Sequence, residues 1–247
     1  VCVLRLKDRS EICIEVDSLL PEKISGMKAE EVEKVKIRYG KLLVDAGEFF
    51  DVEDKANDTI IFEGNLEKVK RIGFGMTRGK IIVKGNAGMY AGAFIQGGRI
   101  LIEGNAGSFA ALGMKGGEII IKGDCGDRAG SAYRGSEGMT GGRLIIYGKC
   151  GNEAGFGMKG GEIIIGKESG LFLGSGMVGG VIKAETAKRA GSGMRNGQIF
   201  LDRYSDDTLP PGFLYSGVVE VDGTAYHVFT GDHAEGKTNG RVFIKSL

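Results

Sequence analysis

Few residues in this 247-residue chain could carry chemistry. Histidine occurs twice, as His227 and His233, and cysteine four times, as Cys2, Cys13, Cys125 and Cys150. Asp232-His233 is the one polar pair that resembles a catalytic fragment. It has no nucleophile near it in sequence, and His233 is left without an assigned role. Cys125 and Cys150 could form a disulfide or hold a soft metal if the fold brought them together. No Cys-x-x-Cys, phosphate-binding loop or nucleophile elbow is present. Gly-x-Gly strings recur along the chain and so do not read as one dinucleotide fingerprint. The catalytic, cofactor and metal inventory of the chain itself is therefore expected to be empty.

The elements that would position these residues follow from an internal repeat. Gly79-Lys-Ile-Ile-Val-Lys-Gly, Gly98-Arg-Ile-Leu-Ile-Glu-Gly, Gly117-Glu-Ile-Ile-Ile-Lys-Gly, Gly142-Arg-Leu-Ile-Ile-Tyr-Gly and Gly161-Glu-Ile-Ile-Ile-Gly are near copies. Weaker copies begin at Thr59, Gly180 and Gly197. The middle apolar positions are Ile61, Ile82, Leu101, Ile120, Ile145, Ile164, Lys183 and Phe200, at intervals of 21, 19, 19, 25, 19, 19 and 17 residues. Units this short have no room for the helix of a parallel crossover. Stacked coils do fit, with Gly at the corners where positive φ or close backbone approach is needed. The expected fold is all-β: a single-stranded right-handed parallel β-helix of about seven coils, about 34 Å long at the interstrand spacing. A left-handed hexapeptide rhythm fits these units poorly. The absence of Pro between residues 22 and 209 agrees with a backbone committed to ladders.

Aligning the copies gives columns. Met76, Ile95, Met114, Met139, Met158, Met177 and Met194 precede the Gly pairs and hold six of the chain's eight methionines. A thioether metal ladder would need companions such as His, so filling of an irregular interior explains the column better. Ala87, Ala106, Cys125, Cys150, Ser169 and Thr186 form a small-residue column, which favours buried, inert thiols at a tight corner. In each strand the first and third aliphatics are expected to face inward. Ile61, Ile82, Leu101, Ile120, Ile145, Ile164 and Phe200 then point outward as an apolar stripe rimmed by charge. That stripe is a candidate partner interface, or a surface covered by the chain's own extensions. The 25-residue interval carries the insertion Tyr133-Arg-Gly-Ser-Glu-Gly138, whose Tyr133 and Arg134 are further contact candidates.

Three segments are expected. Residues 1–58 form a small α+β N-terminal cap, with strands at Val1–Leu6 and Ile12–Val16 and a helix at Lys28–Val35. Residues 59–202 form the β-helix. Residues 203–247 form a β extension with a hairpin about Asp222-Gly223 and a last strand at Arg241–Lys245. Thirty-three basic residues against 32 acidic ones leave a net charge of +1, with no field to drive binding to nucleic acid or membrane. Val1–Lys7 lacks the apolar core of a signal peptide, no apolar run approaches membrane-spanning length, and the cysteine usage suits a reducing, cytoplasmic compartment.

The Gly-Asn-Ala-Gly corners (Gly85–Gly88, Gly104–Gly107) and the Met-x-Gly-Gly pairs resemble the GXGXG domain, which is shared with the C-terminal region of the glutamate synthase large subunit. Further motifs resemble a narrower family, the C subunits of formylmethanofuran dehydrogenase. They are Ser131-Ala-Tyr-Arg-Gly with Gly138-Met139, Gly47-Glu-Phe-Phe-Asp-Val52, Leu209-Pro-Pro-Gly-Phe and Gly231-Asp-His-Ala-Glu-Gly236. The resemblance implies a scaffold in an archaeal one-carbon oxidoreductase of methanogenesis, which reversibly forms formylmethanofuran from CO2, methanofuran and reduced ferredoxin. It places the molybdenum or tungsten pterin and the iron–sulfur clusters in partner subunits, which include a molybdopterin protein and an amidohydrolase-like protein. A detached glutamate synthase β-helix domain and a polysaccharide-acting β-helix enzyme remain alternatives. Carboxylates concentrated on one outer face would mark the latter, whereas the flanking charges here alternate in sign.

Overall fold

The computed structural model describes residues 1–7 and 10–246. Strands dominate. Among the described residues, helix is confined to Pro21–Ile24, Ala29–Glu33 and two single 3-10 turns. The second of these helices lies within the span expected at Lys28–Val35, trimmed at both ends.

The repeats pair in the register that their alignment demands. Thr59–Glu63, Lys80–Lys84, Arg99–Ile102, Glu118–Ile121, Arg143–Ile146, Glu162–Ile165, Val178–Ala184 and Asn196–Leu201 lie parallel, each beside the next. Ile61 sits opposite Ile82, Ile120 opposite both Leu101 and Ile145, and Phe200 opposite Lys183. A second file of parallel bridges runs through Leu66, Ala87, Ala106, Cys125, Cys150 and Ser169. Each repeat therefore meets its neighbour both at the strand and at the small-residue corner.

The ladder is longer than the repeat, and the sheet is mixed rather than wholly parallel. Cys2–Leu6 adds in parallel beside Thr59–Glu63 and carries Phe50–Glu53 antiparallel on its far side. Arg241–Lys245 adds in parallel beside Asn196–Leu201, followed by Thr224–Thr230 and Leu214–Val221, both antiparallel. The result is one sheet of thirteen strands. Chain reversal explains the change at the C-terminal end. Only antiparallel strands can be joined by a turn as short as Asp222-Gly223, and both of those residues adopt positive φ. A second sheet of Ile14–Glu15, Lys36–Tyr39, Leu42–Asp45 and Val69–Lys70 packs Ile14 and Ile37 into the N-terminal part of the core.

Alternation along each strand decides what is inside. The first and third aliphatics, such as Ile119 and Ile121, are fully buried, as is every member of the methionine column. The Met-x-Gly-Gly motif has a steric cause. At Gly161, φ is 85°, and a Cβ would come 2.6 Å from the Met139 methyl of the preceding repeat and 2.8 Å from the Gly142 carbonyl. The Asn of the Gly-Asn corner links repeats: the Asn105 N–H donates to Asn86 Oδ1 and the Asp124 N–H to Asn105 Oδ1, both at 2.8 Å. Lys149 N–H then donates to Asp124 Oδ1 at 2.8 Å.

A further corner uses a less common backbone. Arg71, Tyr90, Phe109, Arg128, Glu153, Phe172 and Arg189 recur there with φ between 50° and 66°. A bulky residue in this left-handed region costs about 1–2 kcal/mol. Contacts along the column offset part of that cost: Tyr90 stacks on Phe109 at 4.9 Å, and Arg128 pairs with Glu153 at 2.6 Å.

Candidate partner interface

The ladder sets the outer face. Ile61, Ile82, Leu101, Ile120, Ile145 and Ile164 are half-buried. Adjacent strands shield the flanks of each side chain and leave its outer surface to solvent. The charges beside the stripe pair with one another up the stack. Arg99 meets Glu118 at 2.9 Å, Arg143 meets Glu162 at 3.0 Å, and Lys84 meets Glu63 at 2.7 Å. The hydrogen bond from Lys84 holds the Glu63 carboxyl below its ordinary range. Such exposed pairs add little stability. Their effect is to offset part of the charge along the rim of the aliphatic strip.

The C-terminal end of the stripe differs. Lys183 interrupts it, and Phe200 stacks on Phe243 at 4.4 Å with Tyr226 edge-on at 5.5 Å. Val221, Asp222 and Thr224 of the hairpin turn overhang Ile164 and Phe200 across a cleft of about 560 Å³. The chain's own extension thus covers part of this end, while Ile82, Leu101, Ile120 and Ile145 lie along the open face.

Tyr133 and Arg134 belong to a different surface. Tyr133 packs on Phe109 at 4.9 Å, extending the Tyr90–Phe109 stack, with the Arg128 and Arg134 cations 5.5 and 5.0 Å from its ring centre. The insertion is pinned to the left-handed corner, so the sequence candidates fall on two surfaces. The bulky, strained column that receives Tyr133 went unnoticed in the sequence, although its spacing repeats with the strands.

Asp232, Cys125 and Cys150 have structural roles. Asp232 is buried, and its carboxylate accepts the Gly193 N–H at 3.2 Å and the Ala234 N–H at 3.1 Å, while His233 is exposed. Cys125 and Cys150 are free, buried neighbours in the small-residue file. The neighbouring Cys150 thiol and burial together push the Cys125 thiol well above its ordinary range. The chain's cysteines do not fit an iron–sulfur cluster: Cys125 and Cys150 share a corner, while Cys2 lies in the N-terminal strand. Among the described residues no group of three or more His, Cys, Asp or Glu is placed to hold a metal ion. No described helix is long and apolar enough to cross a membrane.

Fold and surface together define a repeat protein whose parallel stack presents an aliphatic strip. Part of the chain is similar to the C subunits of formylmethanofuran dehydrogenases, the family that the motifs resemble. Over 96 residues it is 40% identical to the C subunit of the tungsten-containing formylmethanofuran dehydrogenase 2 of Methanothermobacter marburgensis, covering 37% of this chain and 36% of that one. Over 92 residues it is 36% identical to the C subunit of the molybdenum-containing formylmethanofuran dehydrogenase 1 of Methanothermobacter thermautotrophicus, covering 36% of this chain and 23% of that one. The chain spans about a third of the length of the first of these relatives. A solved chain superposes throughout, with a TM-score of 0.91, 26% identity, and coverage of 99% of this chain and 100% of that one. It comes from the crystal structure of the formyltransferase/hydrolase complex (FhcABCD) of Methylorubrum extorquens with methylofuran. No family model matches the chain.

Proposed function

We propose that this chain is a non-catalytic scaffold subunit of a formylmethanofuran dehydrogenase complex, acting in the cytoplasm. The complex would interconvert CO2, methanofuran and reduced ferredoxin with formylmethanofuran. Its molybdenum or tungsten pterin, its iron–sulfur clusters and its amidohydrolase-like site would lie in partner subunits. The observation that carries this reading is the outward strip Ile82, Leu101, Ile120 and Ile145, half-buried and flanked by self-paired charges, on a chain similar to the C subunits of such enzymes. Apolar cores within polar surroundings are where protein partners dock. We read the stack as a right-handed parallel β-helix over residues 59–202, with residues 1–58 as cap and 203–247 as extension. Those ends carry the antiparallel strands that close the sheet.

A second reading has its own support. The solved chain that superposes over the full length comes from a formyltransferase/hydrolase complex. In that case the same scaffold would hold formyl-transfer and hydrolytic subunits. Affinity purification of the chain from its native cells, followed by mass spectrometry and metal analysis, tests both. The dehydrogenase reading expects a molybdopterin-type polypeptide with stoichiometric molybdenum or tungsten. The second expects a formyltransferase polypeptide and neither metal. Recovery of the chain alone, or formyl-group turnover by the isolated chain, overturns the scaffold role.

A further inference from the structure

Two of the four cysteines, Cys125 and Cys150, stand opposite one another in a parallel bridge between successive repeats. Strands one rung apart lie about 4.8 Å from each other, inside the range of about 4.4–6.8 Å spanned by the Cα atoms of a disulfide. Cys150 Sγ leans toward the coil of its neighbour, 3.7 Å from the Gly126 carbonyl oxygen. Cys125 Sγ has only a 4.0 Å contact with the Gly107 carbonyl oxygen, so little opposes its rotation toward Cys150. Ala106 and Ser169 occupy the rungs to either side and put no bulk in the way. The two thiols differ in access. Both residues are buried, but Cys150 lines a surface cleft of about 570 Å³ beside Asn152, Ser169 and Lys188. Cys125 lies one rung away.

We propose that Cys125 and Cys150 are a site of reversible oxidation, at which a peroxide joins the two thiols in a disulfide that locks two adjacent coils together. A molecule as small as hydrogen peroxide reaches Cys150 from the cleft. The Cys150 sulfur attacks one peroxide oxygen, the O–O bond breaks, and a sulfenic acid and one water result. The Cys125 sulfur then attacks the Cys150 sulfur, the S–O bond breaks, and the oxygen leaves as a second water carrying the Cys125 proton. The two sulfurs are oxidised and the peroxide is reduced. Cys125 suits the second role. The neighbouring Cys150 thiol and burial favour its protonated form, so it reacts because it is held beside the sulfenic acid and not because it is a strong nucleophile. The loop closed by the bridge contains the insertion at residues 133–138 and the strand Arg143–Ile146, with Ile145 of the aliphatic strip. Such a bridge restricts the unfolded chain, here across the segment that interrupts the regular repeat.

The test uses the full chain, purified reduced and freed of reductant, as wild type and with Cys125→Ala or Cys150→Ser. Ala and Ser already occupy this column at Ala106 and Ser169, so both variants are expected to fold. After exposure to hydrogen peroxide the protein is denatured in excess iodoacetamide, digested without reductant and mapped by mass spectrometry. The majority of wild-type molecules should carry peptides linked through Cys125 and Cys150, and dithiothreitol should separate them. Cys125→Ala should instead hold Cys150 as a sulfenic acid that dimedone captures, and Cys150→Ser should form no bridge. The bridged chain should unfold at a higher denaturant concentration than the reduced one, a shift absent from either variant. Recovery of both cysteines alkylated, or of Cys150 over-oxidised to the sulfinic acid with Cys125 still free, overturns the proposal. A bridge that forms without moving the unfolding midpoint overturns the locking role.

Discussion

Cys125 and Cys150 show how repetition constrains single residues. Lying 25 residues apart in sequence and bridged side by side, they share a corner with Ala106 and Ser169. The raised Cys125 pKa means that the folded state favours the protonated thiol. Any stabilisation from this group is complete below the ordinary thiol value of 9.0 and is lost as pH rises above it. In folded protein at pH 8, iodoacetamide should label Cys13, which is only partly buried, well before Cys125 or Cys150, and denaturant should equalise the rates. Mass spectrometry of the labelled peptides checks this, and fast labelling of Cys125 in the folded state would contradict its burial. The juxtaposition was legible because the small-residue column could be read off the repeat. The Asn-to-backbone links at the same corner were not, since an Asn beside Gly in sequence also suits an ordinary turn.

Among elements, the tail shows where local sequence stops being informative. The Asp222-Gly223 hairpin and the strand at Arg241–Lys245 were readable from turn chemistry and alternation. Their attachment to the stack was not. It depends on Asp232, some forty residues from its partner Gly193, and on Thr238, whose hydroxyl lies 2.7 Å from the Gly231 carbonyl and 3.0 Å from the Met194 carbonyl. Asp232 of the Asp232-His233 pair serves as a clasp. Asp232→Ala removes the charged acceptor of the Gly193 and Ala234 N–H groups, part-buried hydrogen bonds whose loss costs about 1–3 kcal/mol. Chemical denaturation of the variant should show that loss, with unfolding of the tail preceding that of the stack. An unchanged midpoint would mean that the clasp contributes nothing to stability. The strand Cys2–Leu6 makes the same point. Nothing local announces that it pairs with Thr59–Glu63, because the contact bridges more than fifty residues.

For the whole molecule, the register of eight strands could be written down from the positions of Ile61 through Phe200, because Gly-flanked aliphatic triplets admit one alignment. The candidate surface was legible less completely. Alternation alone turned Ile82, Leu101, Ile120 and Ile145 outward. That Phe200 is partly covered by Tyr226, and that Tyr133 sits on Phe109, depended on tertiary packing of an insertion and a tail. A stack with self-paired rim charges and an open aliphatic strip has the form of a docking surface, and the scaffold role requires that strip to be occupied in the cell. The direct measurement replaces Ile120 with a photo-crosslinking amino acid in the native host, irradiates the cells and identifies the products by mass spectrometry. A covalent adduct to another protein of the complex is expected, absent when the probe stands at exposed Lys149. Irradiation that leaves the chain uncrosslinked, while it still co-purifies with its partners, would contradict occupancy of the strip.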